Sequence, residues 1–137
     1  MSTSPVTYLA ALTVCAAVII GPRSIADEAA QVRRAIFERH DQSEVPGKEI
    51  VTGTADLPAG GVVGWHVHPG DEAGYVLRGH LILKVKGQPD RPLKAGDSFF
   101  NPRGMVHSLV AAPDSDGGEA YSTWIVDKGK PMLEMVK

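Results

Sequence analysis

Short apolar runs, separated by residues that favour turns, follow one another along the chain after residue 40. These runs occupy 50–55, 62–67, 75–77, 81–85, 98–100, 105–110 and 121–126. In one of them, Leu81, Leu83 and Val85 alternate with Ile82 and Lys84, which is the pattern of a half-buried strand. Several short strands in series predict an all-β sandwich or barrel.

The segments between these runs favour turns and loops. The 15 glycines and 10 prolines suit many tight turns better than a few long helices. Runs 75–77 and 81–85 are predicted to form a hairpin around Gly79, and 112–118 is predicted to be a polar loop. Periodicity leaves 28–35 open, as either a short N-terminal helix or an extended arm.

The first 26 residues have the pattern of an export signal. An apolar run over 6–20 is followed by Gly21-Pro22 and then by Ser24-Ile25-Ala26, which suits cleavage after Ala26. No Lys or Arg precedes the run, so an uncleaved anchor or a misassigned start codon are the alternatives. We expect a signal peptide at 1–26, a single domain at 27–137, and a periplasmic or secreted protein. The run is shorter than the roughly 20 residues of a membrane span, so no stable span is expected in the mature form.

Charge and cysteine content narrow the possible partners and metal ligands. A net charge of -2 without a long basic run predicts no nucleic-acid partner. The single cysteine, Cys15, cannot form an internal disulfide, and it lies within the predicted signal peptide. A metal site would therefore have to use histidines and carboxylates.

Two stretches carry candidate metal ligands. His66 and His68 are two residues apart on a predicted strand, so both imidazoles point to one face. Pro69-Gly70 then turns the chain, and Glu72 can return towards the same place. In the second stretch, His107 follows a turn and could add a ligand from a distant strand. Imidazole nitrogens with a carboxylate oxygen suit a first-row divalent metal ion.

The two stretches resemble the cupin superfamily, in particular its small single-domain members of the quercetin-dioxygenase type. The first cupin motif, G-x5-H-x-H-x3,4-E-x6-G, is matched by Gly60, His66, His68, Glu72 and Gly79. The second, G-x5-P-x-G-x2-H-x3-N, is matched by Gly96, Pro102, Gly104 and His107, whereas Ala111 replaces its final Asn. The motifs lie within 60–111, and that Asn is not a metal ligand in the family.

This resemblance implies a double-stranded β-helix, or jelly-roll barrel, with one divalent transition metal ion inside. His66, His68, Glu72 and His107 are the implied ligands, and they leave positions open for water, substrate or dioxygen. Open positions favour Fe, Mn, Ni or Co over a closed structural Zn site, although the sequence does not choose among these metals. The resemblance also implies a homodimer.

Two functions follow from such a site. The first is a metal-dependent enzyme acting on a small oxygenated organic molecule, with a dioxygenase ahead of an isomerase, decarboxylase or lyase. In this reading Glu72 could also accept a proton from the substrate. The alternative is a module that binds a sugar or an organic acid without turnover. A degenerate barrel without metal is a third option, which the intact ligand set argues against.

Other side chains have weaker functional readings. Core packing is favoured over a place in the binding site or at a dimer face for Trp65, Tyr75, Phe99, Phe100 and Trp124. Arg78 and Arg103 could bind an anionic substrate, but ion pairs or a solvated face are favoured. No metal role is predicted for His40, His80 or Asp71.

Overall fold

A computed structural model describes residues 31–137, which form nine β-strands. The strands are β1 (Arg33–Asp41), β2 (Lys48–Pro58), β3 (Val62–Val67), β4 (Gly70–Val85), β5 (Arg91–Lys94), β6 (Ser98–Asn101), β7 (His107–Ala111), β8 (Gly117–Asp127) and β9 (Glu134–Met135). No helix occurs in this part of the chain, and so none that could cross a membrane. The predicted all-β jelly-roll class is therefore confirmed.

The strands form one antiparallel sheet that curls on itself, with neighbours in the order β1-β2-β8-β4-β7-β3-β9. Its first half contains β1, β2, β8, β6 and the beginning of β4, and its second half contains the end of β4, β5, β7, β3 and β9. The two halves enclose the core between them. This is the double-stranded β-helix that the resemblance implied.

Strand β4 joins the two halves, which corrects the hairpin predicted around Gly79. The chain does not turn back there; one 16-residue strand pairs with β8 up to Gly79 and with β5 and β7 after it. Gly79 has a φ of 75°, and a Cβ atom there would lie 2.1 Å from the carbonyl oxygen of Gly117. A glycine is required for this bend because an L side chain would be both strained and in collision.

The N-terminal part of the described chain is extended rather than helical. From Arg33 onward the residues form β1, so of the two open alternatives the extended one is observed over 33–35 and the short helix is not. The backbone hydrogen bonds of β1 come from its pairing with β2. The charged sequence of β1 does not by itself indicate a strand. The predicted signal peptide at 1–26 lies outside the described residues.

Aliphatic side chains from both halves pack into one core. Its buried members include Leu57, Val76, Leu81, Leu93 and Leu109. Burial of a Leu or Val side chain stabilises a fold by about 1.5–3 kcal/mol, so this cluster is the main favourable contribution that the contacts reveal.

The five aromatic side chains with a predicted core role divide into two groups. Phe99 is buried in the core, and Trp124 lines an interior cavity. Trp65, Tyr75 and Phe100 are 40%, 48% and 58% exposed, so core packing was the wrong interpretation for these three. Alternation explains the difference in β6, where Phe99 points inwards and Phe100 outwards.

Candidate metal centre

Two neighbouring strands bring three histidines together inside the barrel. His66 on β3 is directly opposite His107 on β7, and His68 follows two residues after His66, just beyond the end of β3. All three are buried, and one ligand atom from each lies within 4.8 Å of those of the other two. This arrangement could hold a metal ion.

Each of these imidazoles is fixed by a backbone carbonyl on its Nδ1 side. Nδ1 lies 2.7 Å from the carbonyl oxygen of Gly64 in His66 and 2.9 Å from that of Met105 in His107. In His68 it lies 2.5 Å from the carbonyl oxygen of Met132. A carbonyl only accepts, so each Nδ1 must carry the proton and donate it. The Nε2 lone pairs are then left for another partner, as in metal-binding histidines whose second nitrogen is held by the protein.

Glu72 brings a carboxylate to the same place from the other half of the sheet. Its Oε2 lies 3.4 Å from Nε2 of His68 and 3.3 Å from Nε2 of His107. Asn101 donates a hydrogen bond of 2.8 Å from Nδ2 to the same oxygen, across the β4–β6 pair. The four residues predicted as metal ligands are thus gathered within one buried space.

The pKa values in this space reflect burial and mutual charge. Burial first, and then the nearby His107 and His68, lower the pKa of His66 to about 4, against the raising effects of the Gly64 carbonyl and Glu72. Burial alone would raise the pKa of Glu72, but His107, His68 and Asn101 together hold that pKa below its ordinary value. A neutral imidazole at His66 and an ionised carboxylate at Glu72 are the forms that bind a metal.

The polar atoms of the site are not all satisfied by the protein. Nε2 of His68, Oδ1 of Asn101 and Nε1 of Trp124 are buried without a hydrogen-bond partner among the residues described. Such atoms carry a desolvation cost of about 1–3 kcal/mol each unless something binds them. The donor set and the free Nε2 therefore fit a bound metal ion.

A cavity of about 100 Å³ adjoins the histidines. Most of its wall is apolar, including Val63, Leu83, Phe99 and Leu109. The polar side chains in its wall, besides the predicted ligands, are Arg34, Thr54, Asn101, Ser122 and Trp124. The site can therefore exclude bulk water while presenting a few polar groups to a small molecule.

Several residues of this cavity were not singled out by the sequence. Asn101 faces inwards because of strand alternation and pairing, which the sequence does not fix without the register. Trp124 was named among the aromatic residues, but its place at the cavity likewise follows from the register of β8 with β4. Arg34 comes from β1, a strand that the sequence left undecided. Met132 follows the last long strand and reaches His68 only through the tertiary fold.

The residues for which only a weak functional role was considered lie outside the metal centre. Both terminal nitrogens of Arg103 bind Asp127, at 2.9 and 2.8 Å, and Arg78 pairs with Asp56 and Glu119. The ion-pair interpretation of these two arginines is therefore confirmed. Of the remaining residues, none lies at the metal centre: His40 pairs with Glu38, Asp71 accepts a hydrogen bond from the backbone of Arg103, and His80 is exposed.

The family model of the cupin domain matches residues 53–125, more than half of the chain. The chain belongs to the cupin family. All four predicted ligands lie in the matched segment, which ends within β8.

Similarity to named relatives covers only part of each chain. The chain is 36% identical over 52 residues to dimethylsulfoniopropionate lyase DddQ of Ruegeria pomeroyi, covering 38% of this chain and 26% of the lyase. It is 33% identical over 78 residues to oxalate oxidase 2 of Hordeum vulgare, covering 49% of this chain and 35% of the oxidase. The match therefore spans only about a quarter to a third of the length of these relatives.

The fold is also that of a solved cupin-like protein from Thermotoga maritima. The two structures superpose with a TM-score of 0.51 at 27% sequence identity, over 75% of each chain. Fold and family are thus supported by both kinds of comparison.

Proposed function

We propose that this cupin binds one divalent transition metal ion through His66, His68, His107 and Glu72, and that it is an enzyme acting on a small oxygenated organic molecule. The observation that carries the proposal is the common orientation of the three imidazoles. Each is held at Nδ1 by a carbonyl, and the ligand atoms of the three lie within 4.8 Å of one another. Nε2 of His68 and Nε2 of His107 also face the carboxylate of Glu72. When bound, the ion supplies Lewis-acid or oxygen-activating chemistry.

Metal content tests the site directly. Protein purified without a histidine tag and without added metal is analysed for its elements, beside the double variant His66→Ala/His107→Ala. We expect about one ion of Fe, Mn, Ni, Co or Zn per wild-type chain and almost none in the variant. A variant that retains the ion at wild-type occupancy contradicts the proposed ligand set.

The size of the cavity bears on the substrate. Sites for drug-sized ligands have volumes of about 300–1,000 Å³, whereas this cavity has about 100 Å³. A substrate of a few heavy atoms is therefore favoured over a flavonol, although a quercetinase-like oxidative cleavage is one version of the proposal. Two of the relatives are enzymes by name, a lyase and an oxidase, which supports turnover of some kind.

The reaction class can be separated by two assays on metal-loaded protein. Oxygen uptake in the presence of small enols and hydroxy acids supports a dioxygenase or oxidase. Loss of substrate signals in NMR without oxygen uptake supports an isomerase, decarboxylase or lyase. In both assays the double histidine variant must be inactive if the metal site is responsible.

A binding module without turnover is the second candidate, and one observation favours it. Apart from the predicted ligands, no described residue in the cavity wall has a side chain that exchanges a proton near neutral pH. Glu72 is the one carboxylate there, and as an ionised metal ligand it is a weak proton acceptor. A ligand recovered unchanged after long incubation with metal-loaded protein would favour this candidate.

Two further proposals concern location and assembly. From the pattern of the first 26 residues, we infer an exported protein, which N-terminal sequencing of protein from cell fractions tests.

We also infer a homodimer through the outer face of the first sheet half, where Phe37, Tyr75, Leu77 and Phe100 are all about half exposed. Exposed apolar patches of this kind mark interfaces. Ultracentrifugation of Phe100→Ser beside wild type tests the dimer, and a monomeric wild type would contradict it.

A further inference from the structure

One cationic side chain lies at the cavity and has no partner within the described residues. Arg34 on β1 is paired in register with Ala55 on β2, and both residues line the cavity. Its neighbour Arg33 is paired with Asp56 and points to the opposite face, where its Nη2 lies 2.7 Å from the Asp56 carboxylate. Strand alternation therefore places the two adjacent arginines on different sides of the sheet.

Arg34 differs from the other five arginines among the described residues. Arg33, Arg39, Arg78 and Arg103 all form ion pairs with carboxylates, and Arg91 donates to a backbone carbonyl. Within residues 31–137, Arg34 makes neither an ion pair nor a side-chain hydrogen bond. It is exposed, and it lines the same cavity as the buried histidines.

The other free groups of the cavity also suit a negatively charged ligand. Nε1 of Trp124 is a buried donor without an acceptor, and an indole nitrogen can only donate. The one acidic residue in the wall, Glu72, is already held by Asn101 and the histidines. With Nε2 of His68 assigned to the ion, Oδ1 of Asn101 is the buried acceptor left over among the described residues, and it could accept a hydrogen bond from the hydroxyl of a ligand.

Formal charge points in the same direction. Three neutral imidazoles, one carboxylate and a divalent ion leave one positive charge, and Arg34 adds a second. A small acid that contacts both the ion and Arg34 would neutralise this excess. The part of the excess that lies at the buried histidines is costly without compensation, because the cavity is mostly apolar. A neutral sugar would leave it in place.

From this geometry we infer that Arg34 determines specificity: it binds the carboxylate of a small organic acid whose other oxygen atoms lie beside His66, His68 and His107. This inference rests on the proposed metal site and narrows its substrate class. A guanidinium binds a carboxylate through two parallel hydrogen bonds, so Arg34 selects for the planar carboxylate as well as for negative charge.

Calorimetric titration of the folded protein with oxalate, malonate and succinate tests the inference, because these acids separate two carboxylates by increasing lengths. The variants are Arg34→Gln, Arg34→Lys and the matched control Arg33→Gln, which removes the same charge from the opposite face. For the acid that binds wild type most tightly, Arg34→Gln should weaken binding about 10- to 100-fold, the range for hydrogen bonds to a charged group. Arg34→Lys should weaken it less, and Arg33→Gln should leave it within about twofold.

Metal content of the same samples separates the two proposals. Two results in protein that contains its ion overturn the role of Arg34 and leave the metal site standing. One is equal binding by Arg34→Gln and Arg33→Gln, and the other is no binding by wild type. Binding that depends on Arg34 in protein without an ion supports the acid site and contradicts the metal site. If wild type contains no ion and binds none of the acids, both proposals are wrong.

Discussion

The two ends of the barrel interior are formed by the same strands but bury opposite kinds of side chain. On β3 and β7, Val63 is opposite Leu109, and farther along the pair His66 is opposite His107. On β4, Val76 is fully buried in the aliphatic cluster, whereas Glu72, four residues earlier, meets the histidines. We refer to these regions as the aliphatic end (Leu57, Val76, Leu81 and Ala111) and the histidine end (His66, His68, Glu72 and His107).

The difference separates stability from function. Packing at the aliphatic end requires nothing beyond the chain itself, because buried hydrocarbon is favourable without a partner. The histidine end buries polar groups, and some of their atoms are left without hydrogen bonds. Those atoms reduce the stability of the ligand-free fold and become favourable only when an ion or a small molecule binds them.

The largest expected effect on stability comes from the aliphatic end. Leu81 is completely buried, so Leu81→Ala should lower the free energy of unfolding by about 2–5 kcal/mol. Its metal content per folded chain should be unchanged. The control is Leu77→Ala on the same strand, which removes an exposed side chain and should change stability by about 0.5 kcal/mol or less. Urea denaturation with metal analysis measures the stability and the metal content of both variants. A Leu81 variant that is fully folded but metal-free would contradict the separation of stability from metal binding.

A smaller effect is expected from metal at the histidine end. Free metal at about 100 times its dissociation constant should stabilise wild type by about 2.7 kcal/mol relative to chelated protein. Leu81→Ala should gain the same increment, because its ligands are intact. His66→Ala/His107→Ala should gain almost none. Thermal denaturation with and without chelator measures the three increments, and an equal gain in the double variant would place the ion somewhere else.

The smallest effect is a pH dependence in metal-free protein. Burial first, and then the neighbouring histidines, hold the pKa of His66 at about 4, below the usual 6.5. Between these values the unfolded chain binds a proton at this position more readily than the folded chain does. The stability contributed by a neutral His66 is therefore present above about pH 6.5 and is lost as the pH falls towards 4.

The variant His66→Gln sharpens this prediction. Denaturation of chelated protein at several pH values should give a shallower loss of stability between pH 6.5 and 4 in His66→Gln than in wild type. Leu81→Ala should keep the wild-type slope, although its stability is lower throughout. If the histidine variant also keeps that slope, the titration belongs to other groups.

Local patterns predicted the histidine end well because its ligands are close in sequence or lie in recognisable motifs. His66 and His68 share a face through the two-residue repeat of a strand, and β3 was predicted over the same residues that the structure gives it. The family motifs added His107 and Glu72. The strand register decides which of these residues meet. Because the spacing of the motif residues goes with that register in the family, the motifs were enough to group the four ligands.

The remainder of the cavity depends on long-range pairing and was not predictable in the same way. Arg34 lies on an edge strand whose residues are all exposed, so β1 has no apolar alternation to reveal it. Strand β4 continues through Gly79 because the glycine permits a bend, whereas locally the same glycine indicates a hairpin turn. Trp124 faces the cavity through its register with Glu72, and β8 by itself does not indicate which of its faces is internal.

The division of the four candidate ligands between the two halves of the sheet has a mechanical consequence. Glu72 belongs to the part of β4 that pairs with β8 and β6, whereas His66 and His107 belong to the opposing half. An ion held by all four would act as a cross-link between the two layers, in addition to the short main-chain connection from β3 to β4 through His68 and Pro69. Separation of the two halves at the histidine end would then be coupled to occupancy of the site. The same bonds that hold the ion would also limit how far the two halves move apart.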